Sequence, residues 1–422
     1  MTVVNEKGEP MTRASGRLRL AALLGMLAGF AAAPAAAQVS GDVVRIGVIN
    51  DMSGLYSDLG GEGAVEAARL AVEDFGPTVL GKKIEIVAAD HQNKPDIASV
   101  ITRRWIDEGG VDAIADGGNS ATALAIQGIV RDKKRIFLIS GPGSSDLTGK
   151  QCSPYGFHFT YSTYAEASAV TKALLKQKED TWFFLTADYA FGHALERDAS
   201  GFVARAGGKV LGAVRHPLGA SDLSSFLLQA QNSRAKVIAL ANAGGDTVNS
   251  LKQAAEFGIG KSADQRIAAL LMLITDVHSL GLQAAQGIIY ATSFSWTQSA
   301  ATRAFGERFM ARRRGQAPTM IQAGVYSGVM HYLKAVQAAG TDDADAVAAA
   351  MRKLPVDDFM SQNARIRADG QVLRNMYLVQ VKTPAESKGP WDYEKVIATI
   401  APEDAWRPLA EGGCELAKEE TK

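Results

Sequence analysis

The chain has 422 residues, of which 47% are hydrophobic and 21% are charged, and its 45 basic residues balance 45 acidic ones. This length can bury a large core and is typical of two or three domains. The zero net charge gives no indication of nucleic acid or of an acidic membrane surface as a partner. The 42 glycines against 13 prolines are more typical of many tight strand–helix turns than of disorder.

The first 37 residues have the pattern of a secretory signal peptide. Three arginines precede an apolar run over residues 20–36, and an A-A-A triplet at 35–37 fits the A-x-A cleavage pattern. An uncleaved membrane anchor is the alternative, because the run is near the lower limit for a bilayer-spanning helix. Translation starts at Met1 or at Met11. We expect residues 1–37 to be removed on export, and no later segment is apolar enough to cross a bilayer.

The two cysteines, Cys152 and Cys414, both lie in the exported part of the chain. An even number of cysteines in an oxidising compartment predicts one disulfide. Two free, buried thiols are the alternative. The disulfide would join the acidic C-terminal segment "EGGCELAKEETK" to the middle of the chain.

Short apolar runs, turn residues and helical stretches alternate through the first part of the exported chain. In the first predicted helix, Gly61–Phe75, apolar residues recur at helical spacing. This alternation predicts a parallel sheet with right-handed crossovers. The predicted strands are Val43–Ile49, Lys83–Ala89, Val111–Ala115 and Arg135–Ile139.

The alternation stops around residues 155–163 and then resumes as a second α/β unit. The predicted strands are Thr181–Thr186, Lys209–Val214, Lys236–Ala241, Ile267–Ile274 and Gly287–Thr292, and the predicted helices are Tyr164–Lys178, Phe191–Ala206, Thr247–Phe257, Ala300–Arg313, Ile321–Ala338 and Ala344–Lys353. Asp369-Gly370 lies between two alternating runs and predicts a hairpin. We therefore predict an α/β protein whose ligand binds at strand carboxyl ends, in a cleft between two domains.

The usual patterns of nucleotide, metal and catalytic sites do not occur. The glycines after the first strand begin at Gly54 and Gly60 and do not form G-x-G-x-x-G, and Gly149-Lys150 is followed by Gln151 rather than Ser or Thr. The six histidines form no H-E-x-x-H pair, and "GPGSS" is not a G-x-S-x-G nucleophile elbow. We predict no catalytic residues, metal or cofactor, although an assembly of distant Ser, His and Asp residues stays open.

Small polar residues recur at predicted strand ends, directly ahead of helices. "DGGNSATALA" places Asn119, Ser120 and Thr122 at a helix start, and "SGPGSS" places Ser144 and Ser145 after the next strand. Free N–H groups and the helix dipole can hold a carboxylate there without Lys or Arg. Ordinary N-capping is the alternative for each loop. Two such loops on neighbouring strands favour a shared anion site.

Aromatic and acidic residues at strand ends are the second group of candidate ligand contacts. Aromatic rings can enclose an apolar ligand group, and an acid can pair with a ligand amine. Core packing is the alternative for each aromatic, and a helix cap or a surface charge is the alternative for each acid. The candidates are Tyr56, Tyr189, Phe191, Asp246, Asp276 and Trp296.

Four segments of the sequence together resemble one known family. "RIGVINDMSGLYSDLGGEGAVEAARLAVEDF", "FLISGPGSSDLTG", "TADYAFG" and "LKQAAEFGI" are similar, in this order, to periplasmic solute-binding proteins of ABC importers, of the branched-chain amino acid (Leu/Ile/Val) type. The resemblance extends from Asp42 to Leu409. It implies the type I periplasmic binding fold, in which two Rossmann-like lobes with parallel central sheets are joined by a three-segment hinge.

The resemblance also implies domain boundaries. After the signal peptide, residues 1–37, the expected N-terminal lobe is 42–160 plus 292–372, and the expected C-terminal lobe is 161–291 plus 373–422. The hinge segments are expected near 157–163, 288–294 and 371–377.

In such relatives, the loops matching Asn119–Thr122 and Ser144–Ser145 hold the ligand carboxylate. An aromatic residue matching Phe191 or Tyr189 caps the ligand. An acid near Asp276 binds the amino end of the ligand. The resemblance therefore implies a monomeric, non-enzymatic periplasmic protein. It would capture a small carboxylate-bearing ligand (a branched-chain or other amino acid, an amide or an aromatic acid) and deliver it to an ABC permease, without a cofactor or nucleic acid.

One departure concerns "NAGGDT", where relatives often have aromatics. Its small residues predict a pocket larger than leucine or valine needs. Two other functions are kept as alternatives. The same fold can serve a ligand sensor for a membrane receptor or kinase. An exported α/β hydrolase is the other, and the absent nucleophile elbow argues against it.

Overall fold

The structure is a computed structural model that describes residues 39–260 and 264–420. The predicted signal peptide lies outside these residues. Within the described part, none of the helices combines the length and the apolar character that a membrane span requires.

The first sheet has six strands in the order β2-β3-β1-β4-β5-β6, and every neighbouring pair except β2–β3 is parallel. The elements are β1 (Val43–Asn50), α1 (Gly61–Phe75), β2 (Thr78–Val79), β3 (Lys82–Asp90), α2 (Pro95–Asp107), β4 (Ala113–Asp116), α3 (Ser120–Lys133), β5 (Ile136–Ile139) and β6 (Gly156–His158). The strand order reverses at β1, which has β3 on one side and β4 on the other. Such a switch point leaves a crevice at the carboxyl ends of the strands.

The second sheet has four parallel strands in the order β10-β9-β7-β8. The elements are α4 (Thr163–Leu175), β7 (Thr181–Ala187), α5 (Ala190–Arg205), β8 (Lys209–His216), α6 (Ser224–Asn232), β9 (Val237–Ala241), α7 (Gly245–Glu256), β10 (Arg266–Ala269), α8 (Ile274–Leu280), α9 (Leu282–Ala285) and β11 (Ile289–Thr292). The predicted strand Ile267–Ile274 was too long, because Leu270–Leu273 form a buried connection to α8. A continuous apolar run does not distinguish a strand from a buried connection.

The remaining elements divide between the two sheets. They are α10 (Ala300–Arg312), α11 (Met320–Ala339), α12 (Ala344–Lys353), β12 (Arg365–Ile366), β13 (Val372–Leu373), β14 (Met376–Val381), β15 (Glu394–Ile400), α13 (Pro402–Ala405) and α14 (Ala417–Glu420). Helix α11 packs against α1, β4 and β5, while β14 pairs antiparallel with β11 and β15. The predicted hairpin is confirmed, since β12 and β13 pair around Asp369-Gly370.

We propose that the first lobe consists of the six-stranded sheet with α1–α3 and α10–α12, and that the second lobe consists of the four-stranded sheet with α4–α9 and the β11-β14-β15 sheet. Among the residues that the structure describes, three segments connect these lobes: the first crossover (159–162), the second crossover (293–299) and the third crossover (374–375). We propose that the lobe boundaries and the hinge lie in these crossovers.

The predicted disulfide is confirmed, because Cys152 and Cys414 are bonded with a Cα–Cα distance of 5.6 Å. Other contacts of the last segment support this link. Arg407 donates a hydrogen bond from Nη2 to the carbonyl of Ser145 at 2.7 Å. The segment around 407–414, expected in the C-terminal lobe, thus contacts residues 145–152 of the first lobe.

Candidate functional site

A cavity lies where the loops after β1, β4 and β5 meet the loops after β7 and β9. The space between its lining atoms is about 390 Å³, of which only about 20 Å³ can hold the centre of a water molecule. A cavity of that free volume holds little more than one water. The lining residues are Asn50, Asp51, Tyr56, Leu59, Gly60, Gly61, Asp116, Gly118, Asn119, Ser120, Gly141, Tyr161, Tyr189, Phe191, Ala243 and Ile321.

Five of the residues singled out in the sequence line this cavity: Tyr56, Asn119, Ser120, Tyr189 and Phe191. The first three belong to loops of the first lobe and the last two to the second lobe. The hydroxyl oxygens of Tyr56 and Tyr189 lie 2.7 Å apart and share a hydrogen bond. This bond joins the lobes directly across the cavity.

The N-terminus of α3 forms one wall. The Asn119 side chain accepts hydrogen bonds from the N–H groups of Ala121 and Thr122, at 2.8 and 3.1 Å. The Ser120 hydroxyl accepts one from the N–H of Ser144 at 3.0 Å. Asn119 is thus a helix cap that also lines the cavity, and the anion site at this loop stays a prediction. Thr122 and Ser144 support the loop from behind and do not line the cavity.

Ser145 also lies outside the cavity. Its hydroxyl donates a hydrogen bond to Asp198 on α5 at 2.7 Å, and its N–H donates to the Thr163 hydroxyl at 3.0 Å. Asp198 accepts a further hydrogen bond from Thr163, at 2.6 Å. Ser145 therefore links the lobes beside the first crossover.

Three other predicted residues also lie away from the cavity lining. Trp296 donates from Nε1 to the carbonyl of Trp391 at 2.8 Å. Asp246 is buried and accepts from the N–H of Gly219 at 3.2 Å. Asp276 caps α8 by accepting from the N–H of Leu273 at 2.9 Å. A position at a strand end does not fix the direction in which a side chain points.

The structure adds two acids that the sequence analysis did not single out, Asp51 and Asp116. Asp116 is fully buried at the end of β4, where it accepts hydrogen bonds from the N–H of Gly141 and the side chain of Asn50, at 2.9 and 2.7 Å. Burial raises the pKa of its carboxyl to about 6. Asp51 accepts from the N–H of Tyr56 at 2.8 Å. Both acids come directly after predicted apolar strands in the sequence, and this position could have identified them as candidate site residues.

No lysine, arginine or histidine belongs to the described residues that line the cavity. Across residues 39–260 and 264–420, no group of three or more His, Cys, Asp and Glu side chains is arranged to hold a metal ion. The polar side chains that line the cavity are therefore tyrosine and serine hydroxyls, amides and carboxyls, beside the N-terminus of α3. These groups can bind a ligand through hydrogen bonds.

The "NAGGDT" loop does not enlarge the cavity, contrary to the prediction. A Cβ atom at Gly245 would lie 2.6 Å from Cδ1 of Leu55, and one at Gly244 would lie 3.1 Å from Cδ1 of Tyr56. The side chains of the first lobe therefore fill the space that the missing side chains leave. The two glycines permit close approach of the lobes instead of providing room for a ligand.

Asp276 gives a testable pH dependence. Burial, with a smaller contribution from Asp58, raises the pKa of its carboxyl from 3.8 to about 7. The folded state therefore favours the protonated acid, so this stabilisation is complete below about pH 4 and is lost as the pH rises to about 7. Relative to Asp276→Asn, we expect the wild-type free energy of unfolding to fall by at least about 1 kcal/mol over this range.

Urea unfolding of both proteins across this pH range measures the difference. Asp264→Asn, at an exposed position, is the control and should follow the wild type. Parallel curves for the wild type and Asp276→Asn would contradict the assignment.

Two α/β lobes that meet over a cavity lined from both sides define the class of two-lobed solute-binding proteins. The chain belongs to the periplasmic binding protein family, which it matches over residues 43–390. Membership implies a periplasmic location. The family and the type I fold that the sequence resemblance predicted are confirmed.

Comparison with known proteins agrees with this assignment. The chain is 52% identical to a periplasmic binding protein of Burkholderia mallei, covering 89% of this chain and 99% of that one with a TM-score of 0.87. It is 41% identical to a branched-chain amino acid ABC transporter periplasmic ligand-binding protein of Burkholderia xenovorans LB400, with 89% and 100% covered and a TM-score of 0.79. It is also 25% identical to Leu/Ile/Val-binding protein homolog 6 of Brucella melitensis, with 89% and 95% covered.

Proposed function

We propose that the chain is the ligand-capturing component of an ABC importer, which binds a small carboxylate-bearing solute in the cleft and delivers it to a membrane permease. The observation that carries this proposal is the convergence of Tyr56, Asn119 and Ser120 from one lobe with Tyr189 and Phe191 from the other. The name of the 41%-identical Burkholderia xenovorans protein, a branched-chain amino acid ABC transporter ligand-binding protein, supports it.

Capture follows from hinge motion. In the form described here the Tyr56–Tyr189 hydrogen bond and the approach of Leu55 to Gly245 close the cleft. Opening at the crossovers would separate these pairs and admit a solute. A solute that contacts both lobes then stabilises the closed form, because it gains contacts that the open form lacks. No bond in the solute is made or broken, so the protein is not an enzyme in this proposal.

The polar groups indicate the chemistry of the solute. The N-terminus of α3 favours a carboxylate through its dipole and through the Ser120 hydroxyl, which can donate a hydrogen bond. Asp51 and Asp116 offer acceptors to a group that donates hydrogen bonds, such as an ammonium or an amide. Phe191 and Ile321 provide apolar surface. We therefore favour an amino acid or an amino acid amide over an aromatic acid that lacks a donor group.

The proposed function also implies where the protein acts and in which oligomeric state. We propose that residues 1–37 direct export and are removed in the periplasm, and that the protein acts as a monomer. A closed form that presents both lobes side by side gives the permease a surface that the open form does not.

A thermal-shift screen of amino acids, amides and aromatic acids is the first test. We expect a ligand in high excess to raise the melting temperature by several degrees, since binding stabilises the folded state by mass action. An equal, flat response to every compound would contradict the ligand class.

The Tyr56–Tyr189 hydrogen bond gives a sharper test with the same ligand. We expect Tyr189→Phe to weaken binding about two- to tenfold, because it removes one interlobe hydrogen bond and keeps the ring. Isothermal titration calorimetry measures the change. Tyr164→Phe is the matched control, because Tyr164 packs on Phe202 and does not line the cavity. Equal affinities for both variants would show that the bond does not contribute to closure.

A further inference from the structure

A second cavity lies beside the second and third crossovers and shares no lining residue with the ligand cavity. The space in it that can hold water centres is about 440 Å³, against about 20 Å³ in the ligand cavity. Its walls include Ser293 from the second crossover, Arg374 from the third, and Ser361 from the loop between α12 and β12. Tyr377 of β14 also lines it, so the cavity is formed by both hinge connections together with parts of both lobes.

Arg374 is the one cation among the described residues that line this second cavity, and it is 3% exposed. Its Nη1 approaches Sδ of Met360 at 3.2 Å, and its Nη2 donates to the hydroxyl of Ser327 at 3.3 Å. Its Nε has no hydrogen-bond partner. Burial lowers the pKa of this guanidinium, although the charge of Asp358 acts in the opposite direction.

The acid that acts on Arg374, Asp358, is linked to the guanidinium through the Ser327 hydroxyl. Oδ2 of Asp358 accepts from the hydroxyl of Ser327 at 2.5 Å, and Oδ1 accepts from the N–H of Met360 at 2.7 Å. Within residues 39–260 and 264–420, no carboxylate forms a salt bridge with Arg374. A buried charge without a direct counterion is costly unless a bound group supplies one.

Two hydroxyls accompany the guanidinium. Ser293 and Ser361 are buried, and the Oγ atom of each has no hydrogen-bond partner. The described lining residues include no aspartate or glutamate, and the side-chain amides of Asn363 and Asn375 lie at the exposed side. A lining of guanidinium, hydroxyls and amides that contains no acid is a donor set that binds oxyanions.

We propose that this cavity is a second binding site, which takes a small oxyanion such as a phosphate, sulfate or carboxylate on Arg374, Ser293 and Ser361. The anion supplies the direct ion pair that the buried guanidinium lacks and accepts the hydrogen bonds of the two hydroxyls. The site is separate from the cleft, so it does not depend on the identity of the transported solute.

Calorimetric titration of the full exported chain tests the proposal. Sodium phosphate, sodium sulfate and sodium acetate are titrated separately at an ionic strength held constant with sodium chloride, so that general screening is matched. We expect saturable binding of at least one of them. A preference for phosphate and sulfate over acetate would assign a tetrahedral oxyanion, and the reverse would assign a carboxylate. No saturable binding of any of the three overturns the proposal.

Variants then locate the site. We expect Arg374→Gln to abolish binding, and the double variant Ser293→Ala/Ser361→Ala to weaken it about tenfold. Arg104→Gln, an exposed arginine on α2, is the control and should bind as the wild type does. If Arg374→Gln does not fold, the serine double variant decides alone, since it keeps the charge. Wild-type affinity in that double variant overturns the proposal.

Discussion

Gly245→Leu is expected to bind ligand about ten- to a hundredfold more weakly than the wild type, while it unfolds at nearly the same temperature. Gly245 begins α7 in the second lobe, and a Cβ there would lie 2.6 Å from Cδ1 of Leu55 in the first lobe. Overpacking at such a contact costs about 1–3 kcal/mol. The clash arises only when the lobes close, so it acts on capture and not on the folding of either lobe.

A graded series separates closure from other effects. Gly245→Ala should have a small effect, because the nearest atom is the end of a flexible leucine that can move. Combining Gly245→Leu with Leu55→Ala should restore most of the affinity, because it returns the lost volume. Ligand affinity by calorimetry and the radius of gyration by X-ray scattering are the measurements. Wild-type affinity in Gly245→Leu would show that the lobes do not need to meet here.

The Cys152→Ser/Cys414→Ser double variant is expected to lose about 2–5 kcal/mol of unfolding free energy. The bonded cysteines are 262 positions apart, and a cross-link over so long a segment strongly restricts the unfolded chain. In the folded state the same segment also contacts Ser145 through Arg407. The fold should therefore survive without the disulfide, with lower stability.

Denaturant unfolding in the presence and absence of reductant measures this loss. Reductant should lower the midpoint of the wild type and leave the midpoint of the double serine variant unchanged, since that variant has no cysteine. Equal midpoints for the oxidised wild type and the double variant would contradict a stabilising role for the bond.

The sequence predicted the fold well because strand–helix alternation is a local pattern. It also located Asn119 and Ser120 correctly at the cavity, since the carboxyl ends of parallel strands meet at one edge. The sequence prediction failed where the surroundings of a residue are determined by side chains of the opposite lobe. Gly244 and Gly245 were interpreted as added pocket space, whereas side chains of the first lobe occupy that space.

The second limit of the sequence prediction was the direction in which a side chain points from a strand end. Asp276 and Trp296 lie at the predicted strand ends, yet their hydrogen bonds point to α8 and to Trp391. Asp116 was overlooked because an acid after a strand usually caps a turn or faces solvent. Its burial depends on Asn50 and Gly141, which come from two other strand ends and are distant in sequence.

The attachment of the C-terminal segment has a practical consequence for anyone who builds a fluorescent solute sensor from this protein. A reporter fused after residue 420 would follow Cys414, which is bonded to Cys152 in the first lobe, although the preceding strand β15 belongs to the second. A donor and acceptor pair placed at the C-terminus and on the first lobe would then move together and give little signal. An acceptor on the surface of α6 or α7, paired with the same terminus, would instead follow hinge motion.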